Sequence, residues 1–374
     1  MGDEKMKKLT FACLIFALAS LLSAGGFLSQ QKKSTQSYKN PAQATAARNS
    51  AKSYLSQQAS AEKSKDPTLA MVYKKCADAK LKMAKGYEIG DKNLIDTGNT
   101  ELKQALVEIE EATHGQLMYQ AKQAEDKGNK PMAEVLRKMA LARLNVGKAL
   151  KTGDKRALDT ANLNYSKALG EREKIYADDL TKQADKASDS GKVELAAALR
   201  KCAAAKLKIA QGYINNDSNI KSAGYLDYKQ AIFEREKAVQ GEALAKADEM
   251  EEKGDKAMAD VMRKMANAKI KMAEASKNSD KTSTAEAKVE YNNALAEREK
   301  LYADDLSEQA SEAEKTGKTE LAEALKKCAD AKLELGRAYQ ADDAKTIAKA
   351  SLKYKNSSAE KDKVIKTKKT NKKK

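Results

Sequence analysis

The chain has 374 residues, a formal charge of +17 and a pI near 9.3, with 33% of its residues charged and no tryptophan. With four phenylalanines and no tryptophan a large β-rich core is not expected; alanine, lysine, glutamate and leucine, the strong helix formers, dominate, and only three prolines interrupt the chain. Composition predicts an all-α protein with long helices.

At the N-terminus Lys5, Lys7 and Lys8 precede the apolar run LTFACLIFALASLLSAGGFL, Leu9 to Leu28, which carries small residues at Ser23, Ala24, Gly25 and Gly26. A basic start, an apolar stretch and small residues read as an export signal over residues 1–25. The 20-residue run is also long enough to serve as an uncleaved anchor over 9–28. Either way the bulk of the chain is expected to be exported: periplasmic, extracellular or cell-surface. A polar linker over 26–44 follows.

From residue 45 to 357 the sequence repeats itself. KKCADAKLKMAKGY at Lys74 aligns with RKMALARLNVGKAL at Arg137, RKCAAAKLKIAQGY at Arg200, RKMANAKIKMAEAS at Arg263 and KKCADAKLELGRAY at Lys326, an even step each time. Gly128, Gly191, Gly254 and Gly317 keep the same interval, as do Tyr165, Tyr228, Tyr291 and Tyr354. EREKIYADDL at Glu171 and EREKLYADDL at Glu297 stand two intervals apart. Each repeat reads as a short helix of roughly 22 residues and a long one of roughly 33, such as Ser222 to Lys253. The glycines cap the long helices, and Pro67 and Pro131 open short ones. Leu195, Leu199, Cys202, Ile209 and Tyr213 form one apolar stripe; Tyr228, Ala231, Ile232, Arg235, Val239 and Ala247 form another. The predicted architecture is an elongated array of antiparallel helical hairpins, five units with a 63-residue period and a solenoid- or spectrin-like stagger. Unequal helices advance each unit by roughly 15 Å.

The stretch EALAKADEMEEKGDKAMADVMRKMANAK, Glu242 to Lys269, resembles the tetratricopeptide pattern: small Ala247, the turn pair Gly254-Asp255, then small Ala259 and Ala266. The segments Ala121 to Ala140 and Ala184 to Ala203 are similar. The resemblance covers about half of each repeat and departs from the family in its period and in lacking a proline break. It implies a helical-repeat scaffold that binds other proteins.

Cys76, Cys202 and Cys328 alternate with Met139 and Met265 at one helical position. That interchange suits small buried hydrophobes, and three cysteines two repeats apart cannot all pair within the chain. Together with Leu199, Tyr165, Tyr228 and Tyr291 they are the expected structural core. The carboxylates Glu171, Glu173, Asp178 and Asp179 recur as Glu297, Glu299, Asp304 and Asp305. They read as solvated or paired surface charges, and His114, without a counterpart in other repeats, as a lone surface histidine. Tyr87, Tyr213 and Tyr339, closing alternate short helices, read as packing the hairpin turn with the hydroxyl reaching solvent; an exposed aromatic ladder is the alternative.

No phosphate loop and no nucleophile beside a base occurs, so no enzyme, metal site or cofactor is expected. Residues 358–374 form a basic tail, expected to be disordered. Its Lys363, Lys366, Lys368, Lys369, Lys372, Lys373 and Lys374 are candidates for an anionic polymer or lipid head groups. No specific nucleic-acid motif is present, and membrane contact is expected only if the N-terminal segment is retained. The expected function is an exported, non-enzymatic scaffold with a structural or protein-binding role. The alternatives are an exported holdase-type chaperone and a hydrophilic desiccation-type protective protein.

Overall fold

The structure, a computed structural model, describes residues 38–64 and 66–371, with side chains as far as residue 366. The export signal or anchor, with Cys13, and Lys372, Lys373 and Lys374 lie outside the described residues. Eleven helices and no strand occur among the described residues. In chain order they are α1 (Pro41–Lys63), α2 (Pro67–Ile89), α3 (Lys92–Asp126), α4 (Lys130–Thr152) and α5 (Lys155–Asp189). Then come α6 (Val193–Ile214), α7 (Ser218–Glu252), α8 (Lys256–Lys277), α9 (Lys281–Lys315), α10 (Thr319–Gln340) and α11 (Ala344–Asn371). None of them is long and apolar enough to cross a membrane. The four helices α3, α5, α7 and α9 have 35 residues each, two more than the sequence suggests. The helices α2, α4, α6, α8 and α10 between them have 22 or 23.

Short polar side chains start the helices. Asn40, Asp66, Asp91, Asn129 and Asp255 each accept a hydrogen bond from the backbone N–H three residues on, satisfying a donor the helix leaves open. Long helices end at Gly128, Gly191, Gly254 and Gly317, whose φ angles are +76°, +73°, +91° and +68°. The residue after each donates its N–H five residues back, as Asn129 does to Ala124 at 2.8 Å, closing the helix with left-handed backbone. Short helices close at a second left-handed position occupied by Gly90, Gly153, Asn216, Ser279 and Asp342. There the last three residues carry a Cβ, at a local cost of about 1 kcal/mol each.

Two boundaries differ from the sequence reading. Helix α1 begins at Pro41, inside the expected linker, because Asn40 supplies a cap and proline suits the first turn. Helix α11 runs to Asn371, through most of the expected disordered tail. The Lys327–Glu360 ion pair at 2.6 Å ties its middle to α10, and lysine is itself a good helix former.

The helices fall into two compact units, one reaching to Ile175 with Ala210–Ser218, the other comprising Tyr176–Ile209 and Asn219 onward. In the first unit, α2 packs on α1 and α3, and α3 also packs on α4. In the second, α9 packs on α8 and α10, and α10 also packs on α11. Cores are rich in alanine, with a cysteine at the centre of a three-helix contact. Around Cys76 lie Tyr54, Ala61, Val72, Ala105 and Ile109. Around Cys202 lie Leu180, Ala184, Leu199 and Ala231, and around Cys328 lie Leu306, Ala310, Leu325 and Tyr354. Small residues let backbones meet: a Cβ built on Gly98 would stand 2.6 Å from Met83 Cγ and 2.8 Å from the Ala79 carbonyl.

Candidate functional site

Each short helix carries a cation set into its apolar stripe: Lys80, Arg143, Lys206, Lys269 and Lys332, one per repeat at the same position. A charge there must find partners inside the protein, since burying it unpaired costs several kcal/mol. Arg143 shows how. Its Nη1 donates to both Glu110 oxygens at 3.2 Å, from α4 to α3. Its guanidinium carbon lies 4.0 Å from the Tyr165 ring centre, on α5. Arg143 is 3% exposed, Glu110 2% and Tyr165 2%. One cation therefore ties three consecutive helices. Burial raises the Glu110 carboxyl above its ordinary pKa, with the Arg143 charge pulling against it.

The arrangement recurs in the second compact unit. Lys332 on α10 donates to Glu299 on α9 at 2.6 Å and lies 4.2 Å from the ring centre of Tyr354 on α11 and 4.8 Å from that of Tyr302 on α9. Arg298 adds a 2.5 Å bond to the same carboxylate. Lys206 lies over Tyr228 at 4.3 Å and Tyr176 at 5.5 Å; Lys269 lies over Tyr291 at 5.5 Å. In the first compact unit Arg172 holds Glu173 at 2.9 Å.

These carboxylates correct the sequence reading. Glu173 and Glu299 are not surface charges; they are 0% and 1% exposed. Spacing along one helix places only Arg298 beside Glu299, whereas its Lys332 counter-charge comes from the next helix. Their neighbours do stay outside: Glu171 pairs with Lys138 at 2.9 Å and Glu297 with Lys264 at 2.6 Å. Asp178, Asp179, Asp304 and Asp305 are exposed, and His114 is half-buried. Reading the repeat as aligned columns, with a cation in every apolar stripe and a glutamate at Glu110, Glu173, Glu236 and Glu299, was the available signal.

Cys76, Cys202 and Cys328 are free and buried. Burial pushes the Cys76 thiol up to about 12 and the Cys202 thiol up to about 11, so neither ionises readily. Met139 and Leu199 are buried, but Met265, Tyr228 and Tyr291 are half-buried, the two tyrosine rings lying under the ammonium groups of Lys206 and Lys269. Tyr87 and Tyr213 are buried and Tyr339 half-buried, so these tyrosines do not form an exposed ladder. Lys363 and Lys366 are exposed on α11; the backbone of Lys368 and Lys369 is helical.

Surface concavities are shallow seams between neighbouring helices. One is lined by Asn145, Thr152, Thr160 and Asn164. Another is lined by Lys201, Lys208, Asp227 and Glu234, whose charges pair across it at 2.6 and 2.7 Å. No group of three or more His, Cys, Asp or Glu side chains placed to hold a metal occurs among the described residues. The buried carboxylates can accept hydrogen bonds, but their cations already occupy them. The arrangement is suited to fixing helices against one another. No family model, curated protein or solved structure matches this chain.

Proposed function

We propose that the chain is an exported, non-enzymatic scaffold, built as five staggered helical hairpins and working through its repeated surface. One observation carries this reading: the buried ionisable groups are committed to internal packing, as in Arg143 with Glu110 and Tyr165 and Lys332 with Glu299 and Tyr354. Groups held this way specify register. They offer a substrate nothing. What remains for recognition is the outer face of the helices, rich in lysine and glutamate, and the basic end of α11.

The test is capture from cell-envelope extract by the full chain and by a chain ending at Ser357. A captured protein counts only when it rebinds the purified full chain with a saturable, fixed stoichiometry. Suppression of a client's aggregation at stoichiometric amounts, without such a partner, would replace the scaffold with a holdase. Loss of a partner on removing residues 358–374 would place its contact on the basic end.

A further inference from the structure

Some columns of the repeat keep their charge and others lose or reverse it. The exposed contact between a short helix and the long helix after it keeps one polarity throughout: Lys75–Glu108, Lys138–Glu171, Lys201–Glu234, Lys264–Glu297 and Lys327–Glu360, at 2.6 to 2.9 Å. A second contact, between residues closer together in the chain, does not. Its columns read Lys82–Glu101, Asn145–Asn164, Lys208–Asp227, Lys271–Glu290 and Glu334–Lys353. The four charged pairs are in contact, Lys208 with Asp227 at 2.7 Å and Lys271 with Glu290 at 2.8 Å. The two asparagines line one seam. In the second repeat both charges are gone, and in the fifth both are reversed. The two sides of the contact change together, as residues do when each answers to the other.

We infer that this contact is a register code that keeps the fifth-repeat long helix off the first, third and fourth short helices and their long helices off the fifth, with the second repeat set apart by its uncharged pair. The invariant contact cannot choose, because any Lys of its column attracts any Glu. The variable contact can. A fifth-repeat long helix placed on the first, third or fourth short helix sets Lys353 against Lys82, Lys208 or Lys271. The converse error sets Glu334 against Glu101, Asp227 or Glu290. The second repeat answers charge with an uncharged amide. Similar repeats in one chain invite exchange between copies, and mismatched charge is a common guard against it. This goes beyond the scaffold reading and depends on no partner.

The test exchanges the two residues in the full chain: Glu334→Lys with Lys353→Glu. The attractive pair remains, but the fifth repeat now carries the signs of the first, third and fourth. The thermal midpoint should match wild type, while the fraction refolding as unit-exchanged dimers should rise roughly two- to five-fold, the discrimination one exposed charge pair supplies. Glu334→Lys alone should lower the midpoint, and the second change should restore it. Asn145→Lys with Asn164→Glu should raise the dimer fraction similarly without lowering the midpoint. A dimer fraction unchanged in both double variants, or at the detection floor in all proteins, overturns the inference. So does failure of the exchanged pair to recover the midpoint.

Discussion

Replacing Glu110 with leucine should expose how much of this fold depends on its internal charges. Glu110 and Arg143 are 2% and 3% exposed, and Nη1 meets both carboxylate oxygens at 3.2 Å. Without the carboxylate, the guanidinium keeps its charge, since it cannot deprotonate, and only the Tyr165 ring remains as a partner. The expected loss is about 3–5 kcal/mol, a large share of the roughly 5–15 kcal/mol that holds a typical domain together. Arg143→Met should cost a similar amount at pH 7, but the stranded carboxyl has an exit. Its folded pKa, already raised by burial, rises further without Arg143, so the penalty is present above the folded pKa and is relieved as pH falls through it toward the unfolded value. Glu110→Leu should show no such relief. The double variant should return to within about 1 kcal/mol of wild type, because apolar side chains replace a buried ion pair without loss. Urea unfolding followed by circular dichroism gives the cycle, and amide exchange in α3 and α4 shows whether the loss is local. If both single variants cost less than about 1 kcal/mol, as exposed pairs do, the pair is not buried in solution and the reasoning fails.

Gly98→Ala should destabilise the first compact unit by about 1–3 kcal/mol, since the new methyl meets the Ala79 carbonyl at 2.8 Å; an unchanged thermal midpoint would show that the helices stand further apart. Cys76 and Cys202, with thiols raised to about 12 and about 11, should react with a thiol reagent at pH 8 only at the rate of unfolding; stoichiometric labelling of native protein within minutes would contradict their burial. The hydrogen bonds from Lys75 and Lys201 hold Glu108 and Glu234 below the usual carboxylate range, so these pairs add stability above the unfolded pKa and lose it as pH falls through the folded one. Stability should therefore decline on acidification below about pH 4.5, and Glu108→Gln with Glu234→Gln should flatten that decline, read by urea midpoints across the range.

Helices were legible because the cues for them are local. Asp66, Asn129 and Asp255 cap from within their own turn, and Gly128 or Gly254 needs only its own φ to end a helix. The alternation of short and long elements followed from glycine and proline spacing. The buried ion pairs were hidden because their logic is not local. Glu299 looks like a surface residue beside Arg298 until Lys332 is brought beside it. Helix α1 starts at Pro41, inside the expected linker, because ATAARNSAKSYLSQQ has no cysteine or glycine marker to fix where the array begins, although Ala44, Ala47, Ala51 and Tyr54 lie on one buried face. The end of the last helix, beyond residue 357, was missed because lysine density reads as disorder when Glu360 is counted without its partner on α10.

The span of the contacts bears on how fast the protein acquires its shape. The cross-helix bonds of the two repeated contacts and of the buried pairs join positions 19 or 33 apart, in a chain of 374. These separations are short beside the length of the chain, the local pattern of helical bundles, which fold faster than sheets of distant strands. Among the described residues no strand has to wait for a distant mate, and each helix finds its neighbours as soon as the next hairpin is complete. A chain leaving the ribosome at about 5–20 residues per second makes one repeat in seconds, far longer than a hairpin needs to close. Helices within each compact unit can thus settle on one another as they are made, so synthesis itself favours the native order.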